Sequence, residues 1–101
     1  MTPLTIHNNE QNMQFELFLD DDRAFLEYRF QEGIIILMHT EVPEKLGGKG
    51  IASALAAHAF NYAREHHLRV KLYCPFVLTW VKKHTEQMDI VIPPPEGRGQ
   101  L

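Results

Sequence analysis

Gly47, Gly48 and Gly50 stand with Lys45 and Lys49 where a polar loop gives way to a helical pattern starting at Ile51. Glycine removes side chains there. The free backbone N–H groups of a helix start carry partial positive charge, so the segment suits a phosphate or pyrophosphate. Spacing separates the kinds of loop that do this. A Walker A loop needs Gly-Lys followed by Ser or Thr, yet Gly50 follows Gly48-Lys49, and Pro43 stands where the first glycine belongs. A dinucleotide fingerprint needs a third glycine three residues after Gly50, where this chain has Ser53. What remains is a basic-x-x-Gly-x-Gly pattern, Lys45 to Gly50.

Three further side chains could do chemistry. Cys74, the sole cysteine, stands after an apolar run and directly before Pro75. At such a helix start a thiolate can be favoured, which suits a nucleophile. Its plainer role is that of a small buried residue. His39 and Glu41 share one parity at the end of a strand, and either could accept a proton as a general base. Their plainer roles are a packed histidine and a solvated carboxylate. His58, His66 and His67 form no His-Glu-x-x-His pair, and no Cys/His spacing suggests zinc, so no metal site is expected. Asp20-Asp21-Asp22 lacks the glycine and glutamate of a calcium loop and reads as a solvated hairpin turn.

The elements that must position these groups follow from hydrophobic period. Met13, Phe15, Leu17 and Leu19 alternate, a half-buried strand, and Ala24 to Phe30 repeats the pattern after the aspartate turn. Ile34 to His39 is apolar at both parities and is expected to be the central strand, covered on both faces. Ile51, Leu55, Ala59 and Tyr62 fall on one helical face, and the helix should end near Glu65-His66-His67. A strand over Leu68 to Tyr73 follows, then a helix opened by Pro75 and closed near Lys82-Lys83-His84. Asp89 to Ile92 is expected to be a last short strand. The predicted class is α/β (α+β in some schemes), a mixed, mostly antiparallel sheet with two helices in the order β-β-β-α-β-α-β. Residues 1–92 form one domain and 93–101 a flexible Pro/Gly-rich tail.

Composition narrows the class of function. In 101 residues, 10 Lys plus Arg oppose 13 Asp plus Glu, a net charge of −3 that argues against a nucleic-acid partner. One cysteine makes no internal disulfide. The longest apolar run, Ile34 to Met38, is too short to span a bilayer, and the start carries no signal-peptide pattern. The expectation is a soluble cytoplasmic domain with no membrane partner, its oligomeric state open.

The loop pattern resembles the acyl-CoA pyrophosphate loop of GNAT acetyltransferases. With His39-Thr40-Glu41-Val42-Pro43-Glu44 before it, Ile51-Ala52 after it and Cys74-Pro75-Phe76-Val77 downstream, the chain resembles the minimal GNAT-like N-acetyltransferase family of the YjdJ type. The likeness runs from about Phe15 to Ile92. It implies a reduced GNAT fold, acetyl-CoA as cofactor and transfer of an acetyl group to an amine. It also implies that Gly47, Gly48, Lys49, Gly50 and Ile51 hold the pyrophosphate, with Lys45 and Ala52 among the cofactor-binding residues. Thr40, Glu41 and Val42 would then align pantetheine, and Cys74 would lie near the sulfur. Two features depart from the family pattern. Lys45 leads the loop motif in place of Gln or Arg, and Trp80 stands where a tyrosine is frequent. An indole N–H is far too weak an acid to protonate a thiolate, which favours, as the alternative, a non-catalytic acyl-CoA-binding or sensor module.

Overall fold

The computed structural model describes residues 5–93. Its strands are β1 (Ile6–Asn9), β2 (Gln14–Leu19), β3 (Asp22–Gln31), β4 (Ile34–Glu41) and β5 (Arg69–Leu72). Two helices follow β4 and β5 in turn, α1 (Ile51–Glu65) and α2 (Pro75–Lys82). Short 3-10 turns span Glu44–Leu46 and Thr85–Ile90. The sheet order is β1-β2-β3-β4-β5, antiparallel except for the β4–β5 pair. The α/β class with a mostly antiparallel sheet therefore holds.

The hairpins are closed by local chemistry. Leu19 pairs with Asp22 across a two-residue loop, and Asp20 and Asp21 both take positive φ, 51° and 68°. Such a turn matches the right-handed twist of the strands, and Asp tolerates the left-handed region better than most residues. Helix α1 ends in a Schellman motif. His67, at φ 57°, donates to the Arg64 carbonyl, and Leu68 donates to the Ala63 carbonyl at 2.8 Å.

Both helices contribute to one core with the same side of the sheet. Phe15, Leu17, Ala24, Leu26, Tyr28, Ile35, Leu37 and Val70 are buried from the sheet, and they meet Leu55, Ala59 and Phe60 of α1 with Val77 and Trp80 of α2. The alanines of α1 let it lie close to the strands. His58 lies at the edge of this core with its ring 5.1 Å from that of Phe15. Partial burial there pushes its pKa below the usual histidine value. The unfolded chain thus binds the proton more readily, so His58 costs no stability above its ordinary pKa and destabilises the fold as pH drops through that value. The thermal midpoint should fall from pH 7.5 to pH 5, and less steeply in His58→Gln.

Three details differ from the sequence reading. β1 is an added strand that sequence did not suggest, because Ile-His-Asn-Asn holds one apolar residue. Pairing with β2 and a 2.6 Å hydrogen bond from the Tyr28 hydroxyl to Asn8 Oδ1 hold it. β4 is not central but fourth of five, and Ile34, Ile36 and Met38 on its second face are only half-buried. The segment expected to be a last strand, Asp89 to Ile92, is the end of a 3-10 turn plus one bridge, Val91 to Val70. Of the proposed tail, positions 94–101 lie outside the described residues, as do 1–4. Among the described residues no helix is long and apolar enough to cross a membrane.

Candidate functional site

The glycine loop is shaped by the conformations glycine permits. After the Glu44–Leu46 turn, the Gly47 amide donates to the Glu44 carbonyl, and a Cβ on Gly47 would lie 3.2 Å from that oxygen. Gly48 and Gly50 take φ of 78° and 73°, a region that strains any other residue by about 1–2 kcal/mol. Gly50 is also the N-cap of α1. It offers no side chain to the first turn, and that turn has no acidic residue. The early N–H groups of α1 are therefore left as donors with no carboxylate competing for them.

These donors open into a hollow of about 270 Å³. Val42, Gly47, Gly48, Gly50, Ile51 and Ala52, all singled out from sequence, line it together. Leu46, Ser53 and Phe76 line it too and were not foreseen. The signal for Phe76 was its place two residues after Cys74 in a Pro-opened helix, where the first turn of α2 must face the end of β4. The two lysines are not in this lining. Lys45 has its ammonium 3.2 Å from the Asp22 carboxylate, and Lys49 is exposed. A larger hollow of about 410 Å³ lies along the outer edge of β5 and shares no residue with the loop.

Above the loop, β4 and β5 part. Their parallel pairing ends at Leu37 and Leu72, yet β4 continues through Glu41 with β3 as its partner. The Leu37 carbonyl accepts from both Tyr73 and Cys74 amides, and β5 then turns away into α2. Residues 38–41 thus have an edge that β5 does not cover.

A bulge in β4 decides which side chains face that gap. Glu27 pairs with His39 and Tyr28 with Leu37, so Met38 is the extra residue. The slip brings Thr40 opposite the buried Leu26, on the core side, and sends His39 and Glu41 to the open face. Thr40 Oγ1 lies 3.1 Å from Cys74 Sγ, a contact across the gap. On the open face His39 Nε2 lies 2.8 Å from Glu41 Oε1, both side chains more than half exposed. The geometry therefore unites Thr40 with Cys74 and His39 with Glu41 but separates the two pairs by the thickness of the sheet. Cys74 itself is 2% exposed. Trp80 belongs to the core, 5.5 Å from the Phe60 ring and stacked on His84 at 4.1 Å. Among the described residues no three His, Cys, Asp or Glu side chains cluster to hold a metal ion.

Residues 14–90 match a family model described as GCN5-related N-acetyl-transferase. Protein NATD1 of Mus musculus is 35% identical over 85 residues, spanning 81% of this chain and 77% of that protein. The Danio rerio protein of that name is 33% identical over 96 residues, spanning 90% and 87%. The NMR solution structure of a GCN5-like protein from Staphylococcus aureus superposes with a TM-score of 0.72 at 26% identity, over all of both chains.

Proposed function

The chain belongs to the GCN5-related N-acetyltransferase family, and on that premise we propose that it binds acetyl-CoA and transfers the acetyl group to an amine. The observation that carries this reading is the gap where β4 leaves β5, which runs from the Thr40–Cys74 contact towards the uncapped start of α1. The residues present fit such a cofactor: a glycine cradle, backbone donors without a rival carboxylate, and a strand edge free to pair with an amide-bearing chain.

When bound, acetyl-CoA supplies an acetyl group already activated as a thioester. The chain supplies the rest. The N–H groups that open α1 hold the pyrophosphate by charge-assisted hydrogen bonds. The free edge of β4 over residues 38–41 offers N–H and C=O groups to pantetheine, and Thr40 and Cys74 line its path. Glu41, oriented by His39, takes the proton that the acceptor amine must lose. The amine approaches from the open face of the sheet, where that pair lies.

Cys74 acts in this reading as a wall of the slot rather than as a nucleophile. It is buried, and the sheet stands between it and the nearest candidate base. Cys74→Ser is expected to keep both acetyl-CoA binding by calorimetry and turnover by release of free CoA thiol. Intact binding with turnover abolished would restore the nucleophilic role. Glu41→Gln should slow transfer roughly tenfold, less than the loss of an enclosed base, because water reaches the pair.

The sensor reading rested on Trp80 in place of a tyrosine. That position is packed against Phe60 and does not line the loop hollow, so the residue there bears little on proton transfer. Acetyl-CoA presented with a panel of amines decides between the two: CoA thiol release supports the enzyme, and tight binding without release supports the sensor.

A further inference from the structure

The outer edge of β5 is left half-paired. Arg69 and Tyr73 donate their amides to the Gly33 and Leu37 carbonyls, so odd-numbered positions of β5 face β4 and even-numbered ones face outward. Outward-facing Val70 accepts a 2.8 Å hydrogen bond from the Ile92 amide beside the Val91 bridge. Two positions on, the N–H and C=O of Leu72 point the same way, and among the described residues neither has a hydrogen-bond partner. Pro93, Pro94 and Pro95, next in sequence, carry no backbone N–H to donate to Leu72.

Beside these free groups lies the hollow of about 410 Å³. Leu72, Leu78, Val91 and Ile92 give it an apolar floor, and Leu78 is 47% exposed. Its rim is basic. The Lys71 ammonium sits 5.3 Å from the centre of the Tyr73 ring, and Lys82 lies one turn beyond Leu78 on the same helix face. Among the described residues no carboxylate lines it.

We propose that this edge takes up an extended peptide segment of another protein, one that alternates apolar and acidic side chains and adds a strand to β5. Free backbone groups call for a polypeptide, since a small apolar ligand would leave Leu72 unpaired. The basic rim calls for carboxylates. A second copy of this chain offers neither in combination. Its sheet edges are β1, Ile-His-Asn-Asn, with no carboxylate, and β5, Arg-Val-Lys-Leu, with like charge.

The test is an NMR titration of the full chain, 15N-labelled, with a capped Glu-Val-Glu-Val-Glu peptide and a Lys-Val-Lys-Val-Lys control. The acidic peptide should move the Leu72, Tyr73, Leu78 and Val91 amides saturably, bind at least tenfold tighter than the control, and lose its effect in the exposed-site variant Leu78→Asp. Four outcomes overturn the proposal. One is no saturable change, and another is equal affinity for both peptides. A third is movement of these amides on simple dilution, which makes a second copy the occupant. The fourth is nuclear Overhauser contact from residues 94–101 to Leu78 in the free chain, which makes the tail the occupant.

Discussion

Ser53→Glu should weaken acetyl-CoA binding by about two orders of magnitude and leave the fold at least as stable. Ser53 is exposed in the first turn of α1 and lines the loop hollow. A carboxylate there faces the same N–H groups that the pyrophosphate needs. Like charges about 4 Å apart repel by roughly 1 kcal/mol in water and about 4 kcal/mol at a protein surface. An intermediate value of about 2–3 kcal/mol corresponds to roughly a hundredfold in affinity. The same charge stabilises the helix itself by about 0.3–1 kcal/mol, since α1 has no acidic residue in its first turn. Calorimetry with acetyl-CoA and thermal denaturation on one sample separate the two effects. Unchanged affinity would mean that the anion does not sit at this helix start, and lowered stability would mean that the first turn is not organised as described.

Phe15→Ala should be among the most damaging single truncations in the sheet. Phe15 is fully buried, and its ring lies 4.8 Å from Tyr28 and 5.4 Å from Tyr62. Removing it costs about 3–5 kcal/mol, out of a total near 5–15 kcal/mol for a domain of this kind. At roughly 4–8 °C per kcal/mol, the thermal midpoint falls by about 12–40 °C. Phe18→Ala is the matched control. It lies three residues along the same strand but is 61% exposed on the opposite face. A change within about 0.5 kcal/mol is expected there. Equal losses for the two variants would overturn the assignment of faces.

The contrast between these two phenylalanines shows where sequence pattern speaks and where it stops. Period two put Phe15 and Leu17 inside correctly. Glu16 falls on the alternate, outward parity, yet it is only 3% exposed, because Asn9 and Gln14 donate to its carboxylate on the face away from the core. Neighbours brought by strand pairing cannot be read from the strand itself. β1 escaped notice for the same reason, since partners hold it and its own composition does not. The glycine loop was legible because positive φ at Gly48 and Gly50 restricts residue type, and that restriction is written in the sequence. The bulge at Met38 was not legible. Any residue tolerates it, and it decides that Thr40, and not His39 and Glu41, takes the core side of the sheet. Hydrophobic run length misled at Ile34 to Met38, where apolar residues line a sheet face left half open.

The single parallel pair in the sheet also bears on how the molecule assembles. β1 through β4 form a meander in which each strand meets the next across a short turn. β5 meets β4 through partners 35 residues apart, Ile34 and Arg69, with all of α1 between them. Loop-closure entropy must be met before that pairing returns any stability, so the meander forms first and the β4–β5 junction last. The proposed cofactor slot is built on that late junction, where two strands already separate at Leu37. Opening it there leaves the earlier hairpins intact, so the slot can widen by local opening without global unfolding.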